Sequence, residues 1–156
     1  MGTYAAFFLG QGGYLFSWGM PWMASSARSN GIAADVFAYS DITAAMAAIT
    51  QHWSVGDKIA LIGYSLGCTT ATWIQTRRPI DLVCCIAEST YGQNHPINKQ
   101  NTKRSVLWHG DDPLSSAGLN DGFDVVHEMG FTLHLFADVL PSVRNGVIAE
   151  LSKLKE

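Results

Sequence analysis

Eleven residues, from Lys58 to Cys68, constrain this chain more than any other stretch. A short apolar run, Lys58 to Ile62, ends in Gly63-Tyr64-Ser65-Leu66-Gly67, and a segment of helical character follows. A strand that turns sharply into a helix can lift one serine hydroxyl above a sheet edge. The turn crowds the backbone, so the flanking positions must be small, and Gly63 and Gly67 meet that need. The helix then starts beneath the serine, with unpaired N–H groups directed at any negative charge that develops there. Ser65 is therefore the candidate nucleophile. A Gly-x-Ser-x-Gly match also arises as an ordinary glycine-rich turn with the serine capping a helix, so the rest of the chain must decide.

The 156 residues suffice for one domain with a substantial core, and a single domain over residues 1–156 is expected. Hydrophobic residues make up 47% and charged residues 15%, which favours a well-buried sheet. The net charge of −3 comes with no basic stripe, which argues against nucleic acid as a partner. Three cysteines, Cys68, Cys84 and Cys85, show no Cys-x-x-Cys spacing, and their odd number argues against a disulfide framework. Cys84 and Cys85 sit in an apolar run as small hydrophobes. A reduced, cytoplasmic setting fits this usage best. Ahead of Arg28, the first charged residue, the apolar run from Tyr4 to Leu9 is too short to span a bilayer, and no positive charge precedes it as a secretory signal would require.

Apolar runs with strand composition alternate with helical periodicity along the chain. Strands are expected over residues 4–9, 32–39, 58–62, 80–87, 105–109 and 131–136. Helices are expected over 18–30, from 40–41 to 53, 66–76, 120–129, and from 143 to 154. The clearest helix carries Ile42, Ala45, Met46, Ile49 and Trp53 on one face. Residues 88–104, polar and holding Asn, Gln, Pro and Lys, read as a loop or small cap. The alternation predicts an α/β fold, a three-layer αβα sandwich around a mostly parallel six-stranded sheet. Ligands in such sheets bind beyond the strand C-terminal ends.

Three further features fall at those ends. Gly10-Gln11-Gly12-Gly13 follows the first strand and can bring backbone N–H groups to a substrate oxygen. It lacks the Lys-Ser/Thr of a P-loop and the spacing of a dinucleotide fingerprint. His109-Gly110-Asp111-Asp112-Pro113-Leu114 follows the fifth strand, where a carboxylate can orient a histidine, although Asp-Pro is also ordinary turn chemistry. His109 with Asp111 and Asp112 makes an oxygen–nitrogen cluster that a turn explains more simply, so neither a metal nor a cofactor is expected. Tyr14, Phe16, Trp18 and Trp22 after the glycine loop suit either a packed helix or the wall of an apolar acyl or alcohol pocket.

Taken together and in this order, the glycine loop, the Gly63 to Gly67 turn and the His109 to Leu114 segment resemble the α/β-hydrolase superfamily over essentially the whole chain. The resemblance implies a minimal member that starts at the family's third strand. It implies Ser65 as nucleophile and Asp112 as the acid, with Asp111 the second choice. The N–H groups of Gln11 and Leu66 would form the oxyanion hole. The activity so implied is cleavage of a small-molecule carboxylic ester or thioester.

The family's base is a histidine between the last strand and the last helix. With the last strand at 131–136, the segment that follows, from Ala137 to Asn145, contains none. Serine is a weak nucleophile without a base. His134 inside that strand and His95 in the loop after the fourth strand are the candidate substitutes. His109 ends a strand in a structural position, and His52 and His127 read as surface or packing residues. The absent histidine keeps a second reading open, a catalytically impaired binding or interaction protein. An assembly subunit and a flavodoxin-like cofactor binder are weaker rivals.

Overall fold

The computed structural model describes residues 1–115 and 122–156. Six strands form one sheet: β1 Thr3–Leu9, β2 Ala33–Ala38, β3 Lys58–Tyr64, β4 Ile80–Ile86, β5 Thr102–His109 and β6 Val125–Glu128. Their order is β2-β1-β3-β4-β5-β6, and every pairing is parallel. Four α-helices accompany them: α1 Gly19–Ser29, α2 Ile42–Ser54, α3 Leu66–Gln75 and α4 Pro141–Lys153. Two 3-10 helices complete the elements: η1 Gly13–Leu15 and η2 His134–Val139.

The central strands are apolar on both faces, as a sheet covered on both sides requires. In β1, Ala5, Phe7 and Leu9 enter one core while Tyr4, Ala6 and Phe8 enter the other. In β4 the adjacent Cys84 and Cys85 part in the same way, so two neighbouring thiols fill two separate cores. The first core is closed by α1 and α4, through Met20, Met23, Ala27, Val143, Val147 and Leu151. The second is closed by α2 and α3, through Ala45, Ile49, Ala71 and Ile74. The result is the expected αβα sandwich with six strands, all parallel. Its glycine loop, serine turn and β5 turn lie at one edge, because parallel strands send all their C-terminal ends the same way.

The expected order of elements fails at one place. Residues 120–129 read as a helix and 131–136 as the last strand. The structure makes Val125–Glu128 the last strand, in register with β5 from Val106↔Val125 to His109↔Glu128. The start of the expected helix, at residues 120 and 121, lies outside the described residues. Two adjacent β-branched side chains, Val125 and Val126, suit a pleated strand better than a helix, and each packs on one of the two cores. The apolar run at 131–136 is not a strand. Phe131, Leu133, Leu135 and Phe136 remain exposed, and from His134 the run coils into η2. Strand β5 also begins earlier than expected, at Thr102 rather than 105.

Strand β5 and helix α4 are tied by a two-pronged ion pair. Arg104 donates from Nε to Glu150 Oε2 at 2.6 Å and from its terminal nitrogen to Oε1 at 2.9 Å. Lys153 adds a third donor at 2.7 Å. The Arg104 hydrogen bonds, ahead of those from Lys153, hold the Glu150 carboxyl at about 2. A carboxyl depressed in the folded state stabilises above its unfolded value of about 4.3, and that contribution disappears as pH falls towards 2. Arg104 is partly exposed, so the pair is worth about 1 kcal/mol after screening. Glu150→Gln should therefore lower stability by about 1 kcal/mol at pH 7, and urea denaturation should show the difference closing between roughly pH 4 and pH 2.

Candidate active site

Ser65 stands between β3 and α3 with φ 55° and ψ −119°, a left-handed conformation that a non-glycine residue holds only under strain. Ala87 is the other non-glycine residue at positive φ among those described, and it follows the neighbouring strand β4. The surroundings explain why the turn is held. The Ser65 N–H donates to the Ile86 carbonyl at 3.0 Å, and the Ser65 carbonyl accepts from the Cys68 N–H at 3.0 Å. A Cβ on Gly67 would lie 2.1 Å from the Phe8 carbonyl oxygen, and one on Gly63 would lie 2.5 Å from the Gly67 carbonyl oxygen. Only glycine lets α3 start this close to β1 and β3. The chain therefore passes from β3 into α3 through a sharp, strained turn, with Ser65 at the C-terminal edge of the sheet.

His134 Nε2 lies 2.7 Å from Ser65 Oγ. Because β6 ends at Glu128, His134 sits between the last strand and the last helix, the segment that a strand at 131–136 had left without a histidine. Its ring is buried, and its backbone is tied down as well. The Tyr64 hydroxyl donates a short hydrogen bond to the His134 carbonyl. Four residues on, Asp138 Oδ2 accepts from the Gly19 N–H at 2.8 Å, which anchors η2 to the start of α1. Burial pushes the Asp138 carboxyl up to about 6, against the lowering effect of the Gly19 and Met20 N–H groups.

Asp112 completes the line. Its Oδ1 lies 3.5 Å from His134 Nδ1. Ser115 stands beside both, donating from Oγ to Asp112 Oδ2 at 2.6 Å while its Oγ lies 3.4 Å from His134 Nδ1. The Leu114 N–H donates to Asp112 Oδ1 at 2.9 Å and fixes the carboxylate in its turn. With Nε2 accepting from the Ser65 hydroxyl, the ring proton belongs on Nδ1, facing Asp112 and Ser115. Asp111 is exposed and points elsewhere, with its N–H donated to the Gly130 carbonyl. Burial lowers the His134 pKa, and the Asp112 charge and hydrogen bond only partly oppose it. The ring is thus neutral at pH 7 and able to accept a proton.

The glycine loop reaches the same point. A Cβ on Gly10 would fall 3.0 Å from Ser65 Cβ, so the loop backbone abuts the serine. Gln11, next in sequence, lines a cavity of about 100 Å³ with Ser65, Tyr64, Ser89, Leu114 and His134. Leu66 opens α3, where helix N–H groups lack carbonyl partners in the preceding turn.

The other histidines go elsewhere. His95 does not line the Ser65 cavity. Its N–H donates to Thr72 Oγ1 at 3.1 Å, and it borders a separate small cavity with Cys68, Cys85 and Pro96. His52 stacks on Tyr4 with ring centroids 4.0 Å apart and pairs with Asp57 at 2.9 Å. His127 stacks on Trp108. His109 Nδ1 pairs with buried Glu88 at 3.2 Å. The cluster read as His109, Asp111 and Asp112 is composed differently, because Asp112 turns to His134. Ligand-type atoms of His109, Asp111 and Glu128 come within 4.8 Å of one another, on a largely exposed edge. Sequence reasoning missed Ser115 and Tyr64, whose roles depend on contacts with His134 from positions 19 and 70 residues away.

No protein-family model and no curated protein matches this chain in sequence. Solved structures do match in shape. The ydeN gene product from B. subtilis superposes with a TM-score of 0.64 at 13% identity, covering 97% of this chain and 100% of that one. A protein from Xanthomonas campestris pv. campestris assigned to the alpha/beta hydrolase superfamily superposes with a TM-score of 0.61 at 14% identity, covering 99% of each chain. The fold is α/β-hydrolase-like. Among the described residues, no helix is long and apolar enough to cross a membrane.

The environment of His134 makes a direct prediction. In histidine NMR titrations, its midpoint should fall below the ordinary value of about 6.5. Asp112→Asn removes the influence that raises it, so the midpoint should move lower still.

Proposed function

We propose that the protein is a serine hydrolase of carboxylic esters or thioesters, with Ser65 as nucleophile, His134 as general base and Asp112 as the orienting acid. The observation that carries this reading is the 2.7 Å approach of His134 Nε2 to the hydroxyl of a serine on a strained strand-to-helix turn. His95, the other candidate base, borders a different cavity. The binding-protein alternative rested on a missing histidine after the last strand, and that ground is lost with His134 in the segment between β6 and α4.

Each step uses a group at hand. Ser65 Oγ attacks the carbonyl carbon as its proton passes to His134 Nε2. The carbonyl π pair moves onto oxygen, which the N–H groups of Gln11 and Leu66 receive. Collapse breaks the bond to the leaving alcohol or thiol, and His134 returns the proton to it. A water then attacks the acyl-serine by the same route, releasing the acid and free Ser65. Asp112 balances the imidazolium formed in each half. Ser115, between Asp112 and His134, holds both in line as a positioning residue.

A fluorophosphonate probe should label the wild-type protein and not Ser65→Ala. His134→Ala should lower kcat/KM on p-nitrophenyl acetate by about a thousandfold or more, and Asp112→Asn by roughly 10²–10⁴-fold. His95→Ala should lower it little. Because the base works unprotonated, kcat/KM should fall on the acid side with an apparent pKa below 6.5. Folded protein that neither labels at Ser65 nor turns over these esters would refute the assignment.

A further inference from the structure

Beside the Ser65 cavity lies a second one of about 140 Å³, walled by Leu15, Phe16, Trp18, Leu135, Phe136 and Val139. Phe16 and Leu135 line both. The two hollows therefore share walls, one holding the serine and the other apolar. None of the six side chains carries a charge, and the Trp18 indole N–H is their one hydrogen-bonding group. Phe16, Trp18, Leu135 and Phe136 stay exposed at 46%, 64%, 46% and 47%. Leaving such surface in water is costly unless something covers it.

The wall is built by specific local choices. Gly12 has φ 80°, and a Cβ there would fall 2.3 Å from the Phe16 ring, so glycine allows that ring to fold back over the loop. On the other side, η2 turns Leu135 and Phe136 outward from the same coil that holds His134 against Ser65.

We infer that this cavity receives an uncharged hydrocarbon chain of the substrate, one end of which is the scissile ester or thioester at Ser65. The inference rests on the hydrolase reading and adds the substrate class. An apolar cavity with no ionic partner disfavours amino-acyl, phosphorylated or dicarboxylic substrates, whose charges would lose water without compensation.

Two substrate series separate the acyl side from the alcohol side. One is p-nitrophenyl acetate, butyrate and hexanoate; the other is S-ethyl, S-butyl and S-hexyl thioacetate, followed by thiol release. In one of the two, kcat/KM should rise roughly three- to fourfold per methylene. The rising series identifies which side of the scissile bond enters the cavity. Val139→Phe, which fills the cavity, should flatten that slope. Leu15→Ser, at a 71% exposed position that does not endanger folding, should reduce it. Slopes that are flat or falling in both series, while fluorophosphonate still labels Ser65, would overturn the inference and leave the hydrolase reading standing. So would a slope that both variants leave intact. Loss of Ser65 labelling in the folded wild type would remove both readings together.

Discussion

The site depends on how closely α3 approaches the sheet. Gly67 sits where any side chain would strike the Phe8 carbonyl, and Ser65 takes a left-handed conformation to make that approach. The strain at one residue is held by cores on both faces of the sheet, which leave β1 and β3 no room to relax. In return, the serine hydroxyl stands clear of the sheet edge and beside the first turn of a helix. The neighbouring loops are arranged around that fixed point. Gly10 brings the loop after β1 against Ser65, and the β5 turn carries Asp112 to the same edge.

The imidazole is placed by a different device. It does not sit on a regular strand or helix but on a short 3-10 turn, which packing alone would hold loosely. Two polar anchors compensate. Tyr64, the residue before the serine, bonds the His134 carbonyl, and Asp138 bonds the start of α1. The serine turn and the histidine turn are thus linked through adjacent residues of one strand end. The same short turn directs Leu135 and Phe136 into the apolar cavity. Placement of the proposed base and shaping of the proposed substrate pocket depend on one segment.

Much of the fold was legible in the sequence because its signals are local and repeat. Continuous apolar runs such as residues 82–87, and the helical spacing of Ala45 and Ile49, leave little room for another architecture. The reading failed at residues 120–136, where two kinds of hydrophobicity look alike. Val125 and Val126 are apolar to pack, half-buried, against the two cores from an edge strand, whereas Phe131, Leu133, Leu135 and Phe136 are apolar and stay exposed, the last two lining the cavity beside Ser65. Composition does not distinguish a side chain meant for the core from one facing a cavity. That one displacement of a strand removed the histidine from its expected segment.

Local signals along the chain fix the alternating α/β order, the glycine-flanked serine and the position of Asp112 before Pro113, because each is written within a few neighbouring residues. They could not rank His134 against His95, or find Ser115 and Tyr64. Those choices were decided in the tertiary structure, where residues 69 positions apart meet at hydrogen-bond distance. A 2.7 Å contact depends on how β6 ends and η2 coils, and such a path carries no signature in the spacing of residues along the chain.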